Sequence, residues 1–131
     1  MTWLLDTNVL IHAQRGEPAR VRERLRGISP EDVSVSAMSV AELSYGAARS
    51  RAPEATQRAW GQFLDGFTVL PFDREAAELH GQLRHELRRQ PIGDRDLVIA
   101  CTALAHDLTL VTANLREFRR VPGLRVEDWS G

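Results

Sequence analysis

Short apolar runs alternate along this chain with longer stretches in which apolar residues recur every three or four positions. Trp3-Leu4-Leu5, Val33-Ser34-Val35-Ser36, Thr68-Val69-Leu70, Leu108 to Thr112 and Leu124-Arg125-Val126 read as strands. The second reads as half-buried or at an edge, from its period-two alternation. Between the runs, sets such as Val9, Leu10 and Ala13, or Trp60, Phe63, Leu64 and Phe67, each fall on one helical face. Strands joined through helices are expected to lie parallel, since a parallel pair needs a long crossover. The expected fold is therefore a three-layer α/β/α sandwich with a mainly parallel central sheet, one domain over residues 1–131.

Local signals set the element ends. Pro53 suits the first turn of a helix, Asp73 and Asp94 are good N-caps, and Gln90-Pro91 stops the helix before it. Ser39-Val40-Ala41-Glu42 is expected to open a helix, with Ser39 and Glu42 available as a capping box. In open parallel sheets ligands bind beyond the carboxyl ends of the strands, where the strand order reverses, so residues just after a strand carry the functional interest.

Composition removes several chemistries. All 17 basic residues of the Lys+Arg count are arginine, so a Schiff base, a phosphate-loop lysine or a lysine general base is impossible. The same lack, with Asn8 two residues after Asp6, argues against a haloacid-dehalogenase-type phosphatase and a receiver domain. The lone Cys101 lies in an apolar run and reads as a small buried hydrophobe, consistent with a reducing, cytoplasmic setting. A net charge of −1 provides no global field for nucleic acid, and no apolar stretch approaches the length of a bilayer crossing, so no membrane partner is expected.

Three acids fall at the edge where the sheet rule places a ligand. Asp6 directly follows the first strand, Glu42 is expected in the first turn of a helix, and Asp96 in the first turn after Gly93. Thr112 and Asn114 lie at or just past the end of the fourth strand on the same edge, as candidates to support the acids or position a substrate. Each acid alone has a structural reading: Asp6 as a helix cap, Glu42 in the capping box, Asp96 answering the helix dipole. Together they repel, and a site that keeps several carboxylates ionised usually holds a cation. Oxygen donors without Cys or His point to Mg²⁺ or Mn²⁺, and such an ion beside water suits hydrolysis of a phosphodiester.

Leu-Leu-Asp6-Thr7-Asn8, Ser39-x-x-Glu42-Leu43, Pro91-Ile92-Gly93-x-x-Asp96-x-x-Ile99-Ala100 and Leu110-Val111-Thr112-x-Asn114 follow one another in the chain. In order and spacing they resemble the PIN-domain ribonucleases of the VapC-like toxin group. The resemblance implies a Mg²⁺- or Mn²⁺-dependent endoribonuclease toxin, a homodimer, restrained by a cognate antitoxin protein. It implies metal ligands at Asp6 and Asp96, a third acid at Glu42 that helps position the attacking water, and supporting roles for Thr7 and Asn8 in orienting Asp6. Asn114 stands where many members have a fourth acid, which Asp94 or Glu117 can replace if neither is simply a cap or a surface residue. That departure keeps a non-cutting PIN-like module, binding RNA or protein, as the alternative. Arg95 and Arg116 flank the edge and are candidate RNA contacts.

Overall fold

A computed structural model describes residues Met1–Gly131. Strands β1 (Trp3–Leu5), β2 (Val33–Ser36), β3 (Thr68–Leu70), β4 (Thr109–Val111) and β5 (Val126–Glu127) form one sheet. Their order is β3-β2-β1-β4-β5 and every neighbouring pair is parallel. The chain moves outward from β1 through β2 to β3, then crosses back to place β4 on the other flank of β1. The order therefore reverses at β1 and β4, whose carboxyl ends carry Asp6 and Thr112.

Helices α1 (Thr7–Arg15), α2 (Ala19–Arg26), α3 (Ala37–Ala48), α4 (Pro53–Leu64), α5 (Arg74–Glu86), α6 (Asp94–Ala105) and α7 (Leu115–Phe118) supply the two outer layers. Successive strand residues point to opposite faces. Leu4 and Leu110 accordingly join Ala76 and Leu83 of α5, Ile99 of α6 and Phe118 of α7 in one apolar cluster. Leu5 and Val111 join Leu10 of α1, Val21 of α2, Leu43 of α3 and Trp60 of α4 in the other. The three-layer α/β/α reading holds, and the sheet is wholly parallel.

Four local expectations are corrected. β2 is neither half-buried nor at an edge: it lies between β1 and β3 with all four residues buried. Its serines are tolerated there because Ser34 donates its hydroxyl to the Trp3 carbonyl at 3.0 Å, and Ser36 accepts from the Met38 amide at 2.9 Å. That second bond makes Ser36 the N-cap of α3, so the helix starts directly after β2. Ser39 and Glu42 form no capping box, and Glu42 stands in the second turn rather than the first. Asp94 does not cap α6 but is its first residue, with Gly93 at the cap position. The closing strand is Val126–Glu127, shorter and later than its sequence suggested. Asp73 does cap α5, accepting from the Ala76 amide at 3.0 Å. No helix is long and apolar enough to cross a membrane.

Candidate active site

The β1–β4 ladder continues one residue past the strand, because the Asp6 amide donates to the Val111 carbonyl at 2.9 Å. Asp6 is thereby fixed at the reversal point with only 6% of its surface exposed. Its Oδ1 accepts from the Thr7 amide at 2.8 Å, and its Oδ2 from the Thr112 hydroxyl at 2.9 Å. As N-cap of α1, Asp6 also meets the positive end of that helix. Burial nonetheless raises its pKa above the usual carboxylate range against these two bonds, and the Glu42 charge adds to the rise.

Asp96 occupies the first turn of α6, half-buried. Its pKa is pushed up to about 6, first by desolvation and then by the charges of Asp6, Glu117 and Glu42, with Arg95 opposing. Asp96 thus feels the negative charges of Asp6, Glu117 and Glu42 near the carboxyl ends of β1 and β4.

Glu42 reaches the site from the middle of α3. Its Oε1 accepts from the Thr7 hydroxyl at 2.8 Å, and its Oε2 lies 4.0 Å from Arg95 Nε. The Thr7 hydroxyl is also 2.8 Å from that of buried Ser39, so α1 and α3 are tied together beneath Glu42. Thr7 supports Asp6 as expected, but Asn8 does not. The Thr7 side chain orients Glu42, and only its backbone amide orients Asp6. Asn8, one position further round α1, is exposed, and the second donor to Asp6 is Thr112.

Asn114 carries no charge itself but holds a neighbouring carboxylate. Its amide Nδ2 donates to Glu117 Oε2 at 2.9 Å, while Glu117 Oε1 accepts from the Gly93 amide at 3.0 Å. Those two bonds, the Asn114 one larger, hold Glu117 below its ordinary pKa and aim a carboxylate at the start of α6. Glu117 is thus a surface carboxylate tied down by Asn114 and Gly93, and Asp94 is exposed. The three-residue spacing from Asn114 to Glu117 is visible in the sequence, whereas the bond to Gly93, 24 residues earlier, is not. Arg95 borders the acids, but Arg116 is exposed on α7 and contributes nothing to the groove beside Glu42. Burial pushes the Cys101 thiol up to about 11, which makes it inert.

The donor set suits a hard divalent cation in being oxygen only, and the charges of Asp6, Glu117 and Glu42 raise the pKa of Asp96. No group of three or more Asp, Glu, His or Cys side chains is placed to hold a metal ion, so an ion here would rest on at most two carboxylates and keep most of its waters.

A family model described as the PIN domain matches residues 3–124. The chain is 40% identical over 131 residues to the tRNA(fMet)-specific endonuclease VapC of Salmonella typhimurium, covering 98% of both chains. It is 42% identical over 132 residues to the protein of the same name from Shigella flexneri, covering 99% of both. Among solved structures it is similar to DNA-bound VapBC from Salmonella typhimurium, with a TM-score of 0.91 and 40% identity over 98% of each chain.

Proposed function

Because this chain belongs to the PIN-domain family, we propose that it is an endoribonuclease of the VapC kind, the toxin of a toxin–antitoxin pair. PIN-domain nucleases depend in general on a divalent metal; here the ion is Mg²⁺ or Mn²⁺, held by Asp6 and Asp96. When bound, the ion activates water and stabilises the charge that develops on a phosphodiester during in-line displacement.

The chain's own residues do the rest. Thr112 and the Thr7 amide fix both oxygens of Asp6, so its orientation does not depend on the ion. Glu42, anchored by Thr7, accepts a hydrogen bond from the attacking water and orients it. Asn114 holds Glu117 so that it takes the place of the fourth acid. Arg95 contacts the substrate backbone beside Glu42.

The partners of this reading are an RNA substrate, a cognate antitoxin protein and a second copy of the chain. The observation that carries it is the set of acids gathered at the strand-order reversal, in a chain that matches its VapC relatives from end to end. Asn114, the feature that favoured a non-cutting module, holds an acid in place and so removes that module's main support. Initiator tRNA, named for two of the relatives, is the first substrate to try, with total RNA beside it. Metal-dependent discrete fragments are expected from the chain freed of any partner. Intact RNA at every metal concentration would refute the reading.

A further inference from the structure

A groove of about 570 Å³ leads away from Glu42 between α1, α3 and α4. Its walls carry Arg15, Arg49 and Arg95 against a single carboxylate, Glu42 itself. Glu42, Tyr45, Gly46 and Arg49 follow one another at helical spacing along α3, so one side of that helix runs from the acids outward for roughly 10 Å. On that side Tyr45 is 60% exposed, although it is one of the chain's large aromatic groups. Its ring is held by its own helix, with the Arg49 guanidinium 4.6 Å from the ring centroid. Gly46 sits in the helix interior, where glycine weakens a helix, yet a Cβ there would meet nothing within 4 Å. Packing within the chain does not require the glycine; its effect is to leave the groove floor bare.

We propose that this groove seats the single-stranded RNA flanking the scissile phosphate, with Tyr45 stacking a base and Arg15 and Arg49 holding the backbone. The proposal rests on the ribonuclease reading, and its chemistry is that of a single-strand platform: an aromatic face for a base and cations for phosphates. A duplex hides its base faces, so the strand here has to be unstacked. Arg15 and Arg49 also end α1 and α3, where a cation complements the helix dipole. That role affects melting, whereas a phosphate contact affects the salt dependence of binding.

The test is anisotropy with a fluorescein-labelled single-stranded RNA of random sequence, bound in EDTA to the Asp96→Asn chain, beside cleavage by chains that retain Asp96. Tyr45→Ala is expected to weaken binding about tenfold or more, with Tyr45→Phe restoring it. Arg15→Ala is expected to reduce the slope of log affinity against log salt by about 0.7. Gly46→Leu is expected to block binding with no loss in melting temperature. Binding and cutting by Tyr45→Ala and Gly46→Leu at parental levels would overturn the groove and leave the ribonuclease reading standing. Tyr45-dependent binding by a chain that never cuts would support the groove and overturn that reading. A chain that neither binds nor cuts overturns both. If these variants lose affinity only for polyglutamate, the groove takes an acidic protein and the RNA assignment is wrong.

Discussion

Thr112 donates its hydroxyl to Asp6 Oδ2 at 2.9 Å, linking residues 106 apart in the chain across the junction of β1 and β4. The two backbones are already aligned there, because the Asp6 amide bonds the Val111 carbonyl, and the Thr112 amide extends the β4–β5 pairing to Glu127. The same hydroxyl oxygen accepts from the Asn114 amide at 3.0 Å, so one side chain sets both the buried aspartate and the turn that carries Asn114 and Glu117. A carboxylate this buried needs its donors: an acceptor left without one loses about 1–3 kcal/mol.

Thr112→Val keeps the shape and removes the donor. Asp6 then becomes harder to ionise, and affinity for Mg²⁺ or Mn²⁺ is expected to fall roughly 10- to 100-fold, as for other groups that orient a metal ligand. Thr112→Ser keeps the hydroxyl and is expected to stay close to the parent. Calorimetric titration of the two variants with Mn²⁺ checks the pair; equal affinity in both would remove the role assigned to Thr112.

Asp6→Asn and Asp96→Asn each delete one anionic oxygen while preserving volume, and asparagine is as good an N-cap as aspartate. Cleavage is expected to disappear in both, with circular dichroism unchanged. Without metal, Asp96→Asn is expected to melt higher than the parent, because it relieves repulsion from Asp6, Glu117 and Glu42. A lower melting temperature for Asp96→Asn would show that those charges do not strain the fold.

The folded-state pKa of Asp96, about 6, lies above its ordinary 3.8. Between those values the folded chain keeps a proton that the unfolded chain releases, so this group's contribution to stability is lost as pH rises through the window. The melting difference between parent and Asp96→Asn in EDTA is therefore expected to be small near the lower value and fully developed above the upper one. A cation competes with that proton. Metal affinity is expected to fall below about pH 6, with proton uptake into buffer heat measurable by calorimetry in two buffers. Affinity independent of pH across the window would contradict Asp96 as a ligand.

Ser36, not Ser39 with Glu42, caps α3. Ser36→Ala is expected to cost about 1 kcal/mol in urea unfolding, while Glu42→Gln is expected to change stability little and cleavage strongly. The reverse pattern would restore Glu42 as a capping residue.

The strands and the convergence of Asp6, Glu42 and Asp96 are legible in the sequence because a parallel sheet announces itself by apolar runs and puts its next residues at one edge. The misreadings share a cause. Val33-Ser34-Val35-Ser36 looks half polar, yet its hydroxyls are spent on backbone partners, one in β1 and one in α3. Two serines three apart compete to cap α3, and only the absence of any loop after β2 decides for Ser36. The bonds of Glu117 to Gly93 and of Thr112 to Asp6 join residues 24 and 106 apart, which periodicity cannot report.

Asp6 and Asp96 are expected to hold together the ion on which RNA cleavage depends. Single-turnover cleavage of initiator tRNA and of total RNA, titrated with Mg²⁺ and with Mn²⁺ for the parent, Asp6→Asn and Asp96→Asn, measures that dependence. Discrete fragments from the parent that saturate with metal, vanish in EDTA and are absent for both variants are predicted. Cleavage that persists in EDTA, or in either variant at the parental rate, would contradict it.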